Sequence, residues 1–389
     1  MLELKPVGIH EHSTISDGNY TLDELHSFAE KNLDFLIVTD HDRFNYSSGI
    51  WAAEVSARVN CLFTNCNIHL LSYIPIVEPL IDGTEDEKLL RQKRIFAQKE
   101  KIYEIENVLS KLCLNDLERI TRHWLNEITL NSNGDMTFSD AQITRVAKEY
   151  HIIKNKNKRV EDNYNYNAIL HMLKKEYNTP TENAKKLISI PNSTGTTHLQ
   201  AQNLIKMVNE AGGYVMIAHP LLFTKKVLRK IKSRPKYFLQ NNIEILEKLI
   251  TNGQLYGIAG FETGYPAISY INPMSENVIT TRNYSNKEFN ALLHLSKKLK
   301  LHISISDDHH GRNVIGDRLE DVGYLHNQPI IYFDFLKLIN PKMAEERYNY
   351  LVNNEYMKAG SKFYVAPDIA YQKEFNKGIT NEQTNTILT

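Results

Sequence analysis

The sequence reads His10-Glu11-His12-Ser13-Thr14-Ile15-Ser16-Asp17-Gly18 near its start and Thr39-Asp40-His41-Asp42 shortly afterwards. His10 and His12 are two residues apart at the end of a predicted strand, so both imidazoles project from one face and can reach one metal ion. Asp17, five residues further on, can complete the ligand set. The stretch therefore predicts a metal site at a strand end.

Both polar stretches follow apolar runs that are typical of strands, residues 7–9 and 33–38. A helix is predicted between them, because Thr21 and Glu24 have the spacing of a capping box and an apolar stripe follows. These elements form a β-α-β unit. Active sites of parallel α/β folds gather at the carboxyl ends of strands, where His10, His12 and His41 are expected.

These residues resemble the PHP (polymerase and histidinol phosphatase) family of metal-dependent phosphoesterases, whose first two motifs read H-x-H-S…S-D-G and T-D-H-D. The resemblance is to the stand-alone phosphoesterase branch. It implies an α/β fold, a distorted (β/α)7 barrel of PHP type with a large helical insertion here. It also implies two or three divalent metal ions at the C-terminal face of the barrel.

Four further segments are similar to PHP motifs. Residues 52–57 resemble the G-x-E-I-S-A strand, residues 69–73 the H-L-L-G-Y strand, residues 212–220 the A-G-G-x-x-x-x-A-H-P strand and residues 304–311 the S-D-x-H-G end. The resemblance thus implies nine metal ligands: His10, His12, Asp17, His41, Glu54, His69, His219, Asp308 and His310. All of these except His69 are also expected to be catalytic.

Several assignments have alternatives. The last motif fits either Asp307 with His309 or Asp308 with His310, and alternation on a strand would put the two pairs on opposite faces. Gly311 follows His310 as in the family ending, which favours Asp308 and His310. Single His-x-His pairs are often incidental, Glu54 fits an exposed strand carboxylate, and His69 fits a core histidine. The order of five motifs at strand ends favours the metal site.

Other residues are expected around the ligands. Arg145 lies in a segment similar to I-T-R-x-H-I-A, whose arginine contacts the substrate phosphate, but Ala147 replaces the histidine; an ordinary surface arginine fits equally well. Glu262 resembles the glutamate of the G-x-E-V-Y strand and is expected to support the site. Asp40 and Asp42 are expected to orient ligand imidazoles.

The composition constrains the class of protein. The 389 residues include 46 basic and 46 acidic side chains, so no net charge draws the chain to nucleic acid or membrane. The three cysteines, Cys61, Cys66 and Cys113, are too few for a disulfide framework. A signal peptide and an apolar span are not recognised in the sequence, which predicts a cytoplasmic protein without membrane contact.

The predicted organisation is a discontinuous barrel, residues 1–74 and 190–340, with a helical insertion at 75–189 and a C-terminal extension at 341–389. Apolar periodicity and capping residues predict helices at 86–112, 117–128, from 139 or 140, 165–177, 197–211 and 341–353. A last short strand is predicted at 363–365, and a polar end from 374 on that is either disordered or attached to a partner.

Two basic stretches are candidates for phosphate contact. Residues 148–175 interleave lysine with tyrosine, which is typical of single-stranded nucleic-acid binding or, as the favoured interpretation, of a solvated surface. Residues 225–236 follow the His219 motif and are expected at the rim of the site.

Imidazole and carboxylate ligands together suit Mn²⁺, Fe²⁺ or Zn²⁺ better than Mg²⁺ alone. The predicted chemistry is phosphoester hydrolysis by a hydroxide that bridges the metals, without a serine or cysteine nucleophile. The leaving oxygen would take its proton from metal-bound water or from a histidine at the rim, such as His309.

The predicted function is a nuclease that hydrolyses phosphodiesters of nucleic acids or oligonucleotides. A nucleotide phosphatase is the first alternative. The second is a metal-binding regulatory module of a larger complex, with a protein partner such as an ATPase. The sequence leaves open the substrate, the metal and the oligomeric state.

Overall fold

The computed structural model describes residues 4–16, 18–61, 64–79, 81–147, 173, 175–177, 199–230, 238–263, 269–271, 278–280, 286–304, 308–311, 317–325, 328–332, 334–355, 359–360 and 363–365. Its strands are β1 (Val7–Glu11), β2 (Phe35–Val38), β3 (Asn45–Ser47), β4 (Ile50–Cys61), β5 (Thr64–Pro75), β6 (Tyr214–Ile217), β7 (Gly260–Glu262), β8 (Ser269–Ile271), β9 (Val278–Thr280), β10 (His302–Ser304), β11 (Tyr324–Leu325), β12 (Gln328–Tyr332) and β13 (Phe363–Val365). Its named helices are α1 (Leu22–Asn32), α2 (Glu85–Asn131), α3 (Ala201–Glu210), α4 (Pro220–Lys230), α5 (Phe238–Thr251), α6 (Asn286–Leu299), α7 (Leu336–Ile339) and α8 (Pro341–Asn353).

The predicted β-α-β unit is present. Strands β1 and β2 pair in parallel, with Val7 opposite Phe35. The capping box of α1 is formed, since the Thr21 hydroxyl accepts from the Glu24 N–H and the Glu24 carboxylate accepts from the Thr21 N–H. Leu25 is fully buried and anchors α1 in a small apolar cluster against β2. The polar ends of β1 and β2 therefore lie side by side.

The main sheet has six strands in the order β10-β7-β6-β5-β4-β3. Strands β6, β7 and β10 are parallel, whereas β3, β4, β5 and β6 pair antiparallel. The mixed α/β class is as predicted. Strict β/α alternation is not followed here, because β3, β4 and β5 are joined by two residues at each turn, and parallel pairing needs a crossover of about a dozen residues.

Isolated bridges connect β1 to the segment after β10, and the residues after β2 to the six-stranded sheet. Glu11 of β1 pairs with His309, and His41, just after β2, pairs with Glu54 of β4. Hydroxyl groups of Ser47 and Ser48 also accept from the N–H groups of Val38 and Leu36. The described strands do not form a continuous closed ladder, and the (β/α)7 barrel stays a prediction.

The helical insertion begins with one long helix. The two predicted segments at 86–112 and 117–128 are a single 47-residue helix, α2, since neither proline nor glycine separates them. Its side chains Ile102, Ile105 and Leu109 belong to the same buried cluster as the main sheet. Helix α2 thus packs on the fold that carries the strands, and the domain boundaries stay a prediction.

The other predicted elements have mixed outcomes. The helix at 140–147 is capped by Ser139, and α3, α8 and β13 lie within their predicted ranges. Most of 148–198 and all of 366–389 lie outside the described residues, including nearly all of the lysine-tyrosine stretch.

Cys66 is buried and free, as expected for a small apolar side chain. Across the described part of the chain, every helix is too short or too polar for a membrane span.

Close packing at Gly260 predicts a stability effect. An alanine Cβ there would lie 2.1 Å from the main-chain oxygen of His302 on the paired strand. We expect Gly260→Ala to lower the free energy of unfolding by about 3 kcal/mol, measured by urea denaturation. Gly134→Ala is the control: its φ is +86° but nothing lies within 4 Å, so about 1–2 kcal/mol of backbone strain is expected. Equal losses in both variants would contradict the packing argument.

Candidate metal centre

The structure brings the predicted ligands together at one end of the strands. His10 and His12 come from the end of β1 and the residue after it, and His41 follows β2. The side chains of Glu54 in β4 and His69 in β5 point to the same place, and His219, Asp308 and His310 come from segments that follow β6 and β10. Asp17 lies outside the described residues. Eight of the nine predicted ligands therefore form one cluster.

Glu54 is the centre of this cluster. Its side chain is fully buried, and its two oxygens lie within 3.3 Å of nitrogen atoms from five imidazoles. Oxygen Oε1 is 2.7 Å from His69 Nδ1 and 3.1 Å from His219 Nε2. Oxygen Oε2 faces His10 Nε2, His12 Nε2 and His41 Nδ1 at 3.3, 3.1 and 3.3 Å.

Three groups of side chains could each hold an ion, because within each group the ligand atoms lie within 4.8 Å of one another. The groups are His12, His41 and His310; His10, His12, Glu54 and Asp308; and His41, Glu54 and His69. Within the second group, the Nε2 atoms of His10 and His12 are 3.2 Å apart. Nitrogen lone pairs and carboxylate oxygens that converge in this way fit a divalent cation of the Mn²⁺, Fe²⁺ or Zn²⁺ type. The donor set therefore fits the predicted metals.

The carboxylates determine the charge of the centre. Burial would raise the pKa of Glu54, but His41, His69 and His10 hold it well below its usual range. Burial likewise opposes ionisation of Asp308, but His310 and His10 lower its pKa. Burial would lower the pKa of His10, and the carboxylates of Glu262, Glu54 and Asp308 raise it well above its ordinary value. The metal-free centre thus pairs anionic carboxylates with protonated imidazole.

The backbone is left-handed at three non-glycine residues at or beside the centre. Asp42, His219 and Asp308 have φ values of 55°, 30° and 42°. This conformation costs about 1–2 kcal/mol per residue, and such residues persist where their surroundings fix them, commonly at functional sites.

The Asp308 and His310 register is the one that reaches the cluster. Asp308 Oδ1 lies 3.4 Å from His10 Nε2 and 3.3 Å from His12 Nε2, and the His310 ring stacks on His12 at 4.3 Å. The alternative partner Asp307 lies outside the described residues.

His309 lies on the other side of this segment. It is 1% exposed, its Nε2 donates to the main-chain oxygen of Arg318 at 2.6 Å, and its Nδ1 is 3.4 Å from Glu11 Oε2. Burial lowers its pKa. The expectation that His309 lies at the rim is wrong, because its ring is buried beside Glu11 and the Arg318 carbonyl group; its role as a proton donor stays a prediction.

Asp40 organises the loop after β1. It is fully buried and accepts hydrogen bonds from the Ser13 N–H and hydroxyl, the Ser16 hydroxyl and the Asn45 amide, at 2.5–2.7 Å. Ser16 Oγ in turn lies 3.4 Å from His12 Nδ1. Asp40 therefore contacts the imidazole of His12 indirectly, through the hydroxyl of Ser16. The Asp42 carboxylate accepts from the Ser56 N–H at 3.0 Å.

Glu262 supports two histidines, as the sequence predicts. Its Oε1 lies 2.9 Å from His10 Nδ1, and its Oε2 accepts from the main-chain N–H of His219 at 2.6 Å. An Nδ1–H held by a carboxylate leaves the Nε2 lone pair of His10 directed at Glu54 and Asp308. Glu262 thus selects the tautomer of His10 that can bind a metal.

The predicted phosphate contacts have other partners. Arg145 forms an ion pair with Glu176, and Lys225 lies 2.9 Å from Glu288. The side chains of the rest of the basic stretch at 225–236, apart from Val227, lie outside the described residues. A role for Arg145 or Lys225 in substrate binding stays a prediction.

No protein-family model matches the chain, and no curated protein matches it. Solved structures that are similar to the chain at low identity include the following two. One is a proposed metal-dependent phosphoesterase from Bifidobacterium adolescentis, with 14% identity and a TM-score of 0.37 over 80% of this chain and 90% of that one. The other is an amidohydrolase from Chromobacterium violaceum with bound sulfate and no metal, with 16% identity and a TM-score of 0.39 over 82% and 90%. Both TM-scores lie below 0.5, so neither likeness establishes a family or an activity.

Proposed function

We propose that this chain is a metal-dependent phosphoesterase that holds two or three divalent ions. The observation that carries the proposal is that the three ligand groups overlap, with the carboxylate of Glu54 in two of them. A carboxylate has two oxygens and can bind two adjoining ions, whereas a neutral imidazole binds one. Clusters of adjoining ions suit the displacement of phosphate oxygens, where charge develops on both the attacking and the leaving atom.

The chain would contribute ligands, orientation and exclusion of water. His10, His12, Glu54 and Asp308 are buried, so their charges act in a medium less polar than water. Glu262 orients His10, and Asp40 orders the loop beside His12. Ions bound here would supply an activated water nucleophile at neutral pH and charge neutralisation for a phosphate group.

We propose nucleic-acid or oligonucleotide phosphodiesters as the substrate class, because the 47-residue helix α2 beside the main sheet offers surface for a polymer. A nucleotide phosphatase is the alternative. Elemental analysis of the purified protein should be combined with Mn²⁺-dependent assays on end-labelled single-stranded RNA and DNA, nucleoside monophosphates and bisphosphates. His10→Ala is the inactive variant, and His294→Ala, an exposed histidine on α6, is the matched control.

The outcomes separate the candidate functions. Shortened polymers indicate a nuclease, and phosphate released from mononucleotides alone indicates a phosphatase. Metal binding without hydrolysis of any phosphoester would contradict the enzyme and favour a regulatory metal-binding module. An equal loss in His10→Ala and His294→Ala would contradict the assignment of the centre.

The raised pKa of His10 predicts how metal binding depends on pH. A proton on this imidazole must leave before its nitrogen can bind an ion, so metal and proton compete. We expect the apparent dissociation constant for Mn²⁺ to rise as the pH falls below the raised pKa, by about tenfold per pH unit for each displaced proton. Titration calorimetry in buffers of different ionisation enthalpy measures affinity and proton release together. Binding that is independent of pH and releases no proton would contradict this expectation.

A further inference from the structure

Residues 308–311, here called the ligand segment, supply Asp308 and His310 to the centre. The segment lies outside the named strands, yet the backbone N–H and C=O groups of residues 309–311 are all hydrogen-bonded. The N–H of His309 donates to His10 O at 3.1 Å, and His309 O accepts from His12 N at 2.8 Å. The backbone of β1 therefore fixes one residue of the segment on both sides.

The loop after β1 fixes the next two carbonyl groups. Asn19 N donates to His310 O at 2.8 Å, and the Asn19 side-chain amide donates to Gly311 O at 2.9 Å. The two remaining N–H groups, those of His310 and Gly311, both donate to a single atom, Oδ1 of Asp317, at 2.6 and 2.8 Å.

The surroundings of Asp317 make this contact strong. The residue is 1% exposed, and a buried carboxylate that accepts from main-chain N–H groups forms charge-assisted bonds. Gly311 has a φ of +69°, and the ring of Tyr20 packs against it so closely that a Cβ would lie 2.4 Å from the ring. This tight turn brings two successive N–H groups onto one oxygen.

We propose that Asp317 is a positioning residue of the metal centre. It contacts no predicted ligand atom in the hydrogen bonds described above, but it holds the backbone from which the side chains of Asp308 and His310 extend. Two of the three ligand groups contain Asp308 or His310, whereas the group of His41, Glu54 and His69 contains neither. Asp317 therefore positions ligands of the two groups that contain Asp308 or His310, and not those of the third group. The inference rests on the proposed metal-binding function.

Three variants of the full chain test this role. Asp317→Ala removes both bonds, whereas Asp317→Asn keeps an oxygen that can accept from both N–H groups. Asp321→Ala is the matched control, since Asp321 is a buried carboxylate four residues after Asp317 that accepts from the N–H of Arg318 instead. Mn²⁺ binding is measured by calorimetry. In parallel, hydrogen exchange of the His310 and Gly311 amides is measured in metal-free protein.

We expect Asp317→Ala to weaken Mn²⁺ binding by about tenfold at the sites that use Asp308 or His310, with one ion retained at wild-type affinity. The amides of residues 310 and 311 should exchange at least about tenfold faster in this variant. In Asp317→Asn and Asp321→Ala, the Mn²⁺ affinity and the exchange rates of the two amides should stay within about threefold of the wild-type values. Full metal binding in Asp317→Ala, or equal losses in Asp317→Ala and Asp321→Ala, would overturn the proposal.

The two readouts separate this inference from the proposed function. Wild-type protein that binds no metal would contradict the proposed function, but the exchange of the two amides still tests the contact with Asp317. Unchanged exchange in Asp317→Ala would overturn the inference even if the wild type binds its full complement of ions.

Discussion

Glu54→Gln is expected to abolish phosphoester hydrolysis and remove most of the bound metal. The substitution keeps the volume of the side chain but replaces an anionic ligand by a neutral amide. Two of the three ligand groups contain Glu54, and only that of His12, His41 and His310 remains complete without it. We expect at most one ion per chain in the variant, measured by elemental analysis after dialysis against Mn²⁺.

The effect on the reaction should be large. Metal ions contribute several kcal/mol to the stabilisation of charge in such transition states, so their loss should lower the rate by on the order of a thousandfold. The five imidazoles around Glu54 would add to the effect, because an amide N–H₂ group can neither accept a hydrogen bond from them nor bind an ion beside them. The rate of phosphate release with saturating Mn²⁺ is the measurement.

Glu106→Gln is the matched control for this experiment. Burial raises the pKa of Glu106, so the loss of its charge is less costly there, and the residue belongs to none of the three ligand groups. This variant should retain metal and activity. A Glu54→Gln protein with the full metal content and wild-type activity would exclude Glu54 as a shared ligand.

The candidate centre could be predicted in large part because its ligands lie in short local motifs at strand ends. His10 and His12 are two residues apart, and alternation along β1 is enough to place both rings on one face. The capping box of Thr21 and Glu24 is also local, and it is present. Where a pattern and its physical cause lie within a few residues, the sequence contains the information needed.

The family resemblance predicts that Glu262 supports the site, but the partners of the supporting residues could not be predicted from spacing, because they lie far apart in the chain. Asn19 and Gly311 are separated by 292 positions, and Glu262 and His10 by 252. Asp317 follows the ligand segment by only a few residues, but its role depends on the turn at Gly311 and on the packing of Tyr20. Spacing alone gives no indication of such a contact.

The antiparallel pairing of β3, β4 and β5 could have been predicted from loop length, but the family resemblance favoured a different arrangement. Only two residues separate β3 from β4 and β4 from β5, which is the length of a hairpin turn. Such lengths exclude crossover helices between these strands. The resemblance to a barrel of alternating units implied a parallel arrangement, whereas loop length predicts the pairing that is found.

Glu262→Gln is expected to weaken metal binding by about a hundredfold, the upper part of the range for residues that orient a ligand. The carboxylate serves two groups at once, His10 Nδ1 through Oε1 and the His219 N–H through Oε2. A glutamine has only one oxygen for these two donors. If its oxygen accepts from His10, its N–H₂ group meets the N–H of His219, and two donors face each other in a fully buried place.

The opposite orientation of the amide is no better for metal binding. Its N–H₂ group would then donate to His10 Nδ1, which forces the proton of the neutral ring onto Nε2, the atom that faces Glu54 and Asp308. A protonated Nε2 cannot bind an ion. Nitrogen chemical shifts of His10, measured in the metal-free protein at a pH above the raised pKa of this ring, distinguish these orientations, and Mn²⁺ calorimetry measures the loss. Glu244→Gln, on the exposed side of α5, should leave the His10 shifts and the Mn²⁺ affinity unchanged. A Glu262→Gln protein that keeps wild-type affinity and the Nδ1–H form of His10 would show that the ring is oriented by its other neighbours.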